Sequence, residues 1–172
     1  ADAKRFVNYL VTRDSDKMEV GYAWYTTWCN EDGKVIADGI AFYFEENHFV
    51  LSGDRSTLAF KAKAESFDVE ITDITDDYGI LALQGPKSRQ VLESVTGEDW
   101  SDLKFSRIRT TTIAGAELAV TRTGFTGEHG YELWVQREHG AAVWQAVAEA
   151  GQPFDIRPAG EYAIDIARVE AG

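Results

Sequence analysis

Two acidic side chains sit where charge is costly. Asp38 stands in "KVIADGIAF" and Glu132 in "GYELWV", each with apolar residues on both sides. A carboxylate among apolar strand residues must face water or find hydrogen-bond donors. If both face a common pocket, they suit a ligand with clustered N–H donors, because a carboxylate accepts two parallel hydrogen bonds from such a fork. Tyr25, Phe125 and Tyr131 are the nearby aromatics that could offer ring faces to a flat heterocycle. The stretch "GFTGEHG" puts glycine at positions 124, 127 and 130, directly ahead of Glu132. This is not a nucleotide fingerprint, and its plain reading is a turn that needs positive φ before a strand.

Other chemistries find little support. His48, His129 and His139 are far apart, and Cys29 is the one cysteine, so no ligand set for a metal is spaced along the chain. Cys29 lies in an aromatic strand and reads as buried and inert. There is no G-x-S-x-G elbow, no Walker A motif and no G-x-G-x-x-G. Lys and Arg number 17 against 29 Asp and Glu, a net charge of −12, which repels phosphate backbones and anionic membranes. No apolar run approaches the roughly 20 residues of a membrane helix. One cysteine permits no internal disulfide, which fits a reducing, cytoplasmic setting.

The elements that must position these groups follow from periodicity. Phe6, Val7, Leu10 and Val11 are spaced for a helix over 2–12, with Asp2 as its N-cap. Strands are expected at 21–30, 35–44 and 48–53, the first two joined by the Asp-Gly turn of "NEDGK". A helix follows over 55–66, then strands at 67–75 and 78–85. Pro86 opens a helix running to Val95, where its missing N–H does no harm. Strands at 104–113, 116–123 and 131–136 precede a helix closed by Gly151 and Pro153 and a last helix with Tyr162, Ile166 and Val169 on one side. Helices mixed with hairpin-linked strands indicate an α+β fold with largely antiparallel sheets. The expected division is 1–85, carrying Asp38, and 86–172, carrying Glu132.

Four segments fall in order: "NEDGKVIADGI", "LALQGPKSRQVL", "RTGFTGEHGYEL" and the closing "PAG" with "DIARVEAG". Together they make the chain resemble the folate-binding aminomethyltransferase family, the glycine cleavage T-protein and its tetrahydrofolate-dependent demethylase relatives. The resemblance implies the central part of a T-protein-like fold, without an N-terminal segment and a C-terminal barrel. It implies transfer of a one-carbon unit to tetrahydrofolate from a methylated small molecule or a lipoyl-bearing carrier protein. It assigns the catalytic aspartate to Asp38, the pterin-gripping glutamate to Glu132, and folate contacts to Tyr25 and Phe125, with the glycines letting the loop fold tightly behind the pterin. Two positions depart from the family pattern: Ile164 stands where an arginine is usual, and Ser52 where an asparagine is common. Both lean toward a demethylase with another donor. Two further readings go with the resemblance. One is a non-catalytic folate-binding protein of the iron–sulfur-assembly type, although its loop cysteine is missing from "GFTGEHG". The other is the folate module of a larger flavin-linked demethylating dehydrogenase.

Overall fold

The computed structural model describes residues 2–53, 60, 61 and 63–172. They form an α+β chain that divides into two compact units, Ala1–Ile74 and Thr75–Gly172. The break falls ahead of Gly85-Pro86 because the strand over Tyr78–Gln84 pairs with Gly130–Gln136, far along the chain, and is counted with it.

In the first unit, helix α1 (Ala3–Leu10) buries Phe6, Val7 and Leu10, as its apolar spacing predicts. Asp2 sits at the N-cap position, but its carboxylate makes no capping bond there and accepts the backbone N–H of Asp68 instead. Strands β1 (Tyr22–Cys29), β2 (Val35–Glu45) and β3 (His48–Gly53) make an antiparallel sheet in that order. The β1–β2 turn is held by Asn30, whose side-chain oxygen accepts the N–H groups of Asp32 and Lys34. One face of the sheet packs Met18, Ala41 and Tyr43 with Tyr22, Trp24, Phe49 and Leu51. The rings of Tyr43 and Phe49 stack with centroids 4.1 Å apart.

Residues 67–75 do not form the expected strand. Their alternation is real, but the segment hydrogen-bonds to the start of α1, where Asp2 N–H donates to the Asp68 carbonyl, and Phe67 packs edge-on against Phe6. Alternation selects an extended backbone, not a partner. The expected helix over 55–66, with Arg55, lies partly outside the described residues. Its end, Ala64–Ser66, is a 3₁₀ turn.

The second unit is a four-stranded antiparallel sheet in the order β4-β7-β6-β5, with β4 at Tyr78–Gln84, β5 at Ile108–Ile113, β6 at Ala116–Thr121 and β7 at Gly130–Gln136. The expected strand over 104–113 begins only at Ile108, since Ser106 takes φ 61° and breaks the extended run. Helices α2 (Ser88–Thr96) and α3 (Gly140–Gly151) cover one face. Tyr131, Leu133 and Val135 of β7 point to that side and are fully buried with Val91, Leu92, Val143 and Val147. Complete burial of such a row stabilises the unit by roughly 1.5–3 kcal/mol per side chain. Helix α4 (Glu161–Ala171) buries no residue completely. Tyr162, Ile166 and Val169, spaced for one side, form an exposed stripe. Among the described residues no helix is long and apolar enough to cross a membrane.

Candidate functional site

Asp38 lies on β2, where Thr27 is its direct partner on β1 and Ile40 pairs with Tyr25. Tyr25 and Asp38 are therefore diagonal neighbours on one face, within reach of a long side chain. The Tyr25 hydroxyl donates to Asp38 Oδ2 at 2.7 Å. The hydrogen bond to Asp38 holds the Tyr25 hydroxyl above the ordinary tyrosine range, with burial and the Asp38 charge acting in the same direction. Tyr25 thus remains a donor at any physiological pH. The ring is 59% exposed and Asp38 is exposed as well, so the aspartate is not embedded in an apolar interior. Its charge is balanced by water and one tyrosine, and Oδ1 has no protein partner among the described residues. Ser52 lies on the same face, opposite Ile40, and its hydroxyl accepts the Ile40 N–H at 3.3 Å.

Glu132 is built differently. It is half-buried on β7, on the sheet face opposite Tyr131 and Leu133. Across the ladder it pairs with Ala82 of β4 and Thr121 of β6. The Thr123 hydroxyl donates to Glu132 Oε2 at 2.6 Å. Oε1 has no partner among the described residues, and that free oxygen can accept a ligand N–H.

The glycines of "GFTGEHG" have a specific task. Gln84 is the ladder partner of Gly130, and its side chain lies over the neck of the loop. The Gln84 amide donates to the carbonyls of Thr123 at 3.3 Å and Tyr131 at 3.0 Å, one on each side of the loop. Thr126 donates to the Gln84 side-chain oxygen at 3.4 Å. A methyl at Gly124 or Gly130 would overlap the Gln84 carboxamide. Gly127 has φ +74°, and a methyl there would overlap the Ala171 side chain of α4. Two of the three glycines thus make room for a side-chain staple, and the third lets a helix approach.

Phe125, at the tip of the loop, is 54% exposed. The guanidinium of Arg168 lies 5.3 Å from its ring centroid, in cation–π contact. Arg168 is four residues after Ile164, hence on the same side of α4. Tyr131 cannot offer a ring face to a ligand, because it is fully buried under the helices, and its hydroxyl has no partner among the described residues. Cys29 is half-buried rather than sealed in the core. His129 is half-buried and meets the Ser88 hydroxyl at 3.1 Å. Among the described residues no three His, Cys, Asp or Glu side chains cluster as metal ligands.

Gln84, Thr121, Thr123 and Arg168 escape a reading by residue type. Gln84 lies within a quoted motif, yet a glutamine at a strand end is not conspicuous. The register Thr121–Glu132 is the signal that finds the threonines, and it exists only once β6 and β7 are paired.

The whole chain, residues 1–172, matches the family model described as the GCVT N-terminal domain. The aminomethyltransferase of Caldanaerobacter subterraneus subsp. tengcongensis is 36% identical over 177 residues, covering 99% of this chain and 47% of that protein. The aminomethyltransferase of Alkaliphilus metalliredigens is 36% identical over 176 residues, with 99% and 48% covered. The chain spans about half the length of these relatives. In fold it is similar to the glycine cleavage system aminomethyltransferase T of Bartonella henselae, with a TM-score of 0.86 at 24% identity over 100% of this chain and 46% of that one. It is also similar to the heterotetrameric sarcosine oxidase of a Corynebacterium species, with a TM-score of 0.63 at 16% identity over 83% of this chain and 69% of that one. The chain belongs to the GCVT N-terminal domain family.

Proposed function

We propose that this chain is the folate-handling part of a tetrahydrofolate-dependent aminomethyltransferase, with Glu132 gripping the pterin and Asp38 serving the transfer. The observation that carries this is the state of the two carboxylates. Each is held through one oxygen by a single hydroxyl and keeps the other oxygen without a protein partner among the described residues. A free carboxylate oxygen is an acceptor and suits ligand N–H donors. Tetrahydrofolate, when bound, supplies the ring nitrogens that receive the one-carbon unit.

The chain's own residues do the rest. Glu132 Oε1 accepts N–H donors and fixes the orientation of the ring. Phe125 offers an exposed face beside a guanidinium. Asp38 keeps a negative charge where positive charge develops during transfer, and an oriented charge of this kind lowers the barrier without reorganising. Tyr25 holds that carboxylate in one direction and stays a donor to it, since its hydroxyl remains protonated. A cytoplasmic setting fits this reading, since a single cysteine stays reduced there.

For the one-carbon donor we favour an aminomethyl group on a lipoyl-bearing carrier over a free methylated compound. The relatives at 36% identity are aminomethyltransferases. The intact protein, given tetrahydrofolate and an aminomethyl-loaded lipoyl carrier, is expected to release ammonia in proportion to the carrier supplied. Release without tetrahydrofolate, or turnover only with free methylated amines, would contradict this reading.

A further inference from the structure

Thr121 and Thr123 are buried hydroxyls beside the carboxylate assigned to the pterin, with 0% and 6% of their surface exposed. Thr121 pairs directly with Glu132 across the ladder, and Thr123 follows two residues later, just past the end of β6. Their hydroxyls lie 2.6 Å apart, and that of Thr123 lies 2.6 Å from Glu132 Oε2. The direction of this chain follows from counting hydrogens. An ionised carboxylate only accepts, so the one hydroxyl hydrogen of Thr123 goes to Glu132. The contact between the threonines must then use the hydrogen of Thr121. The order is Thr121 to Thr123 to Glu132, and each donation polarises the next. Both donors are β-branched and stiff at χ1, so neither swings freely.

We infer that Thr123 is a positioning residue for ligand recognition. It pins Glu132 Oε2, thereby sets the plane of the carboxylate, and so aims Oε1 at the ligand N–H. Thr121 in turn fixes the Thr123 hydroxyl. The inference rests on the reading of Glu132 as the pterin acceptor and adds what orients it.

The test is a titration of the intact protein with tetrahydrofolate, using Thr123→Val, Thr123→Ser, Glu132→Ala and the double variant Thr123→Val/Glu132→Ala. Thr123→Val keeps the shape and removes the hydroxyl. Its expected affinity is about 10-fold weaker than wild type, which is about 1.4 kcal/mol and the size of one hydrogen bond to a charged group. Thr123→Ser restores the hydroxyl and is expected to bind within about 3-fold of wild type, since a serine makes the same donation. In the Glu132→Ala background the valine substitution is expected to change nothing, because its effect passes through Glu132. An equal loss in both backgrounds would overturn the inference, since Thr123 would then act on the fold alone. Wild-type affinity for Thr123→Val beside a weakened Glu132→Ala would overturn it and leave Glu132 in place. Wild-type affinity for Glu132→Ala would remove the underlying reading as well. Should the valine variant not fold, Thr123→Ala against Thr123→Ser makes the same comparison of hydroxyl with none.

Discussion

An Asp38→Asn variant of the intact protein is expected to transfer the one-carbon unit about 100-fold more slowly, the loss typical when one charge-stabilising group is taken from an active site. Tetrahydrofolate affinity should change far less, because the substitution removes a charge and keeps the shape. Asparagine can still accept the Tyr25 hydroxyl, so the hairpin stays intact. Single-turnover measurements separate the two effects: a rate falling at unchanged affinity is the signature of an interaction made only in the transition state. The same variant carries an internal control. The Asp38 hydrogen bond is the main cause of the raised Tyr25 value, so Tyr25 should titrate at lower pH once Asp38 is neutral. For the tyrosine the folded value lies above the unfolded one. Its stabilising contribution is therefore complete below the ordinary tyrosine range near 10 and fades only at higher pH. No stability change from this pair is expected between pH 7 and 9.

The second large effect concerns stability. Gly130→Ala should destabilise the protein by about 1–3 kcal/mol through loss of the Gln84 staple, the cost of leaving buried hydrogen-bonding groups unsatisfied. The new methyl would overlap the Gln84 carboxamide. Gln84 is a flexible side chain and can move aside, so the cost lies in what it abandons. Those are the carbonyls of Thr123 and Tyr131, which frame the loop ahead of Glu132. Chemical denaturation measures the loss directly. A Gln84→Ala/Gly130→Ala double variant should be scarcely less stable than either single variant, because both remove the same contacts. Full additivity would mean that Gly130 is needed for some other reason. Folate affinity should fall with stability in both single variants, since the loop and Glu132 share one strand entrance.

The strands that carry the site were legible because alternation and the Asn30–Lys34 turn are local signals. β1, β2, β3, β4, β6 and β7 lie where period-two patterning puts them. The segment 67–75 shows the limit of that signal: it alternates as well as any strand, yet its backbone bonds to the start of a helix. Partner choice is a long-range property. For the same reason the insertion of β7 between β4 and β6 could not be read from local pattern, and with it went the roles of Gln84, Thr121 and Thr123. Threonine in a strand reads as β-propensity, and nothing local marks one as the orienting donor of an acid nine residues away. The glycine triplet was conspicuous, but its explanation needed Gln84 and Ala171. Asp38 and Glu132 were visible as acids in apolar strands. Whether each faces water or meets donors was left open by the pattern: Asp38 is exposed and steadied by Tyr25, while Glu132 is half-buried and steadied by Thr123.

The most direct test is calorimetric titration of the intact protein with tetrahydrofolate, comparing wild type with Glu132→Ala. If Glu132 accepts the ring donors, the variant should bind about 100-fold more weakly, as expected when a charged partner of clustered N–H groups is removed, with its unfolding temperature nearly unchanged. Equal affinity of the two proteins would contradict the account, because the half-buried carboxylate of Glu132, with its free oxygen, would then have no part in holding the ligand.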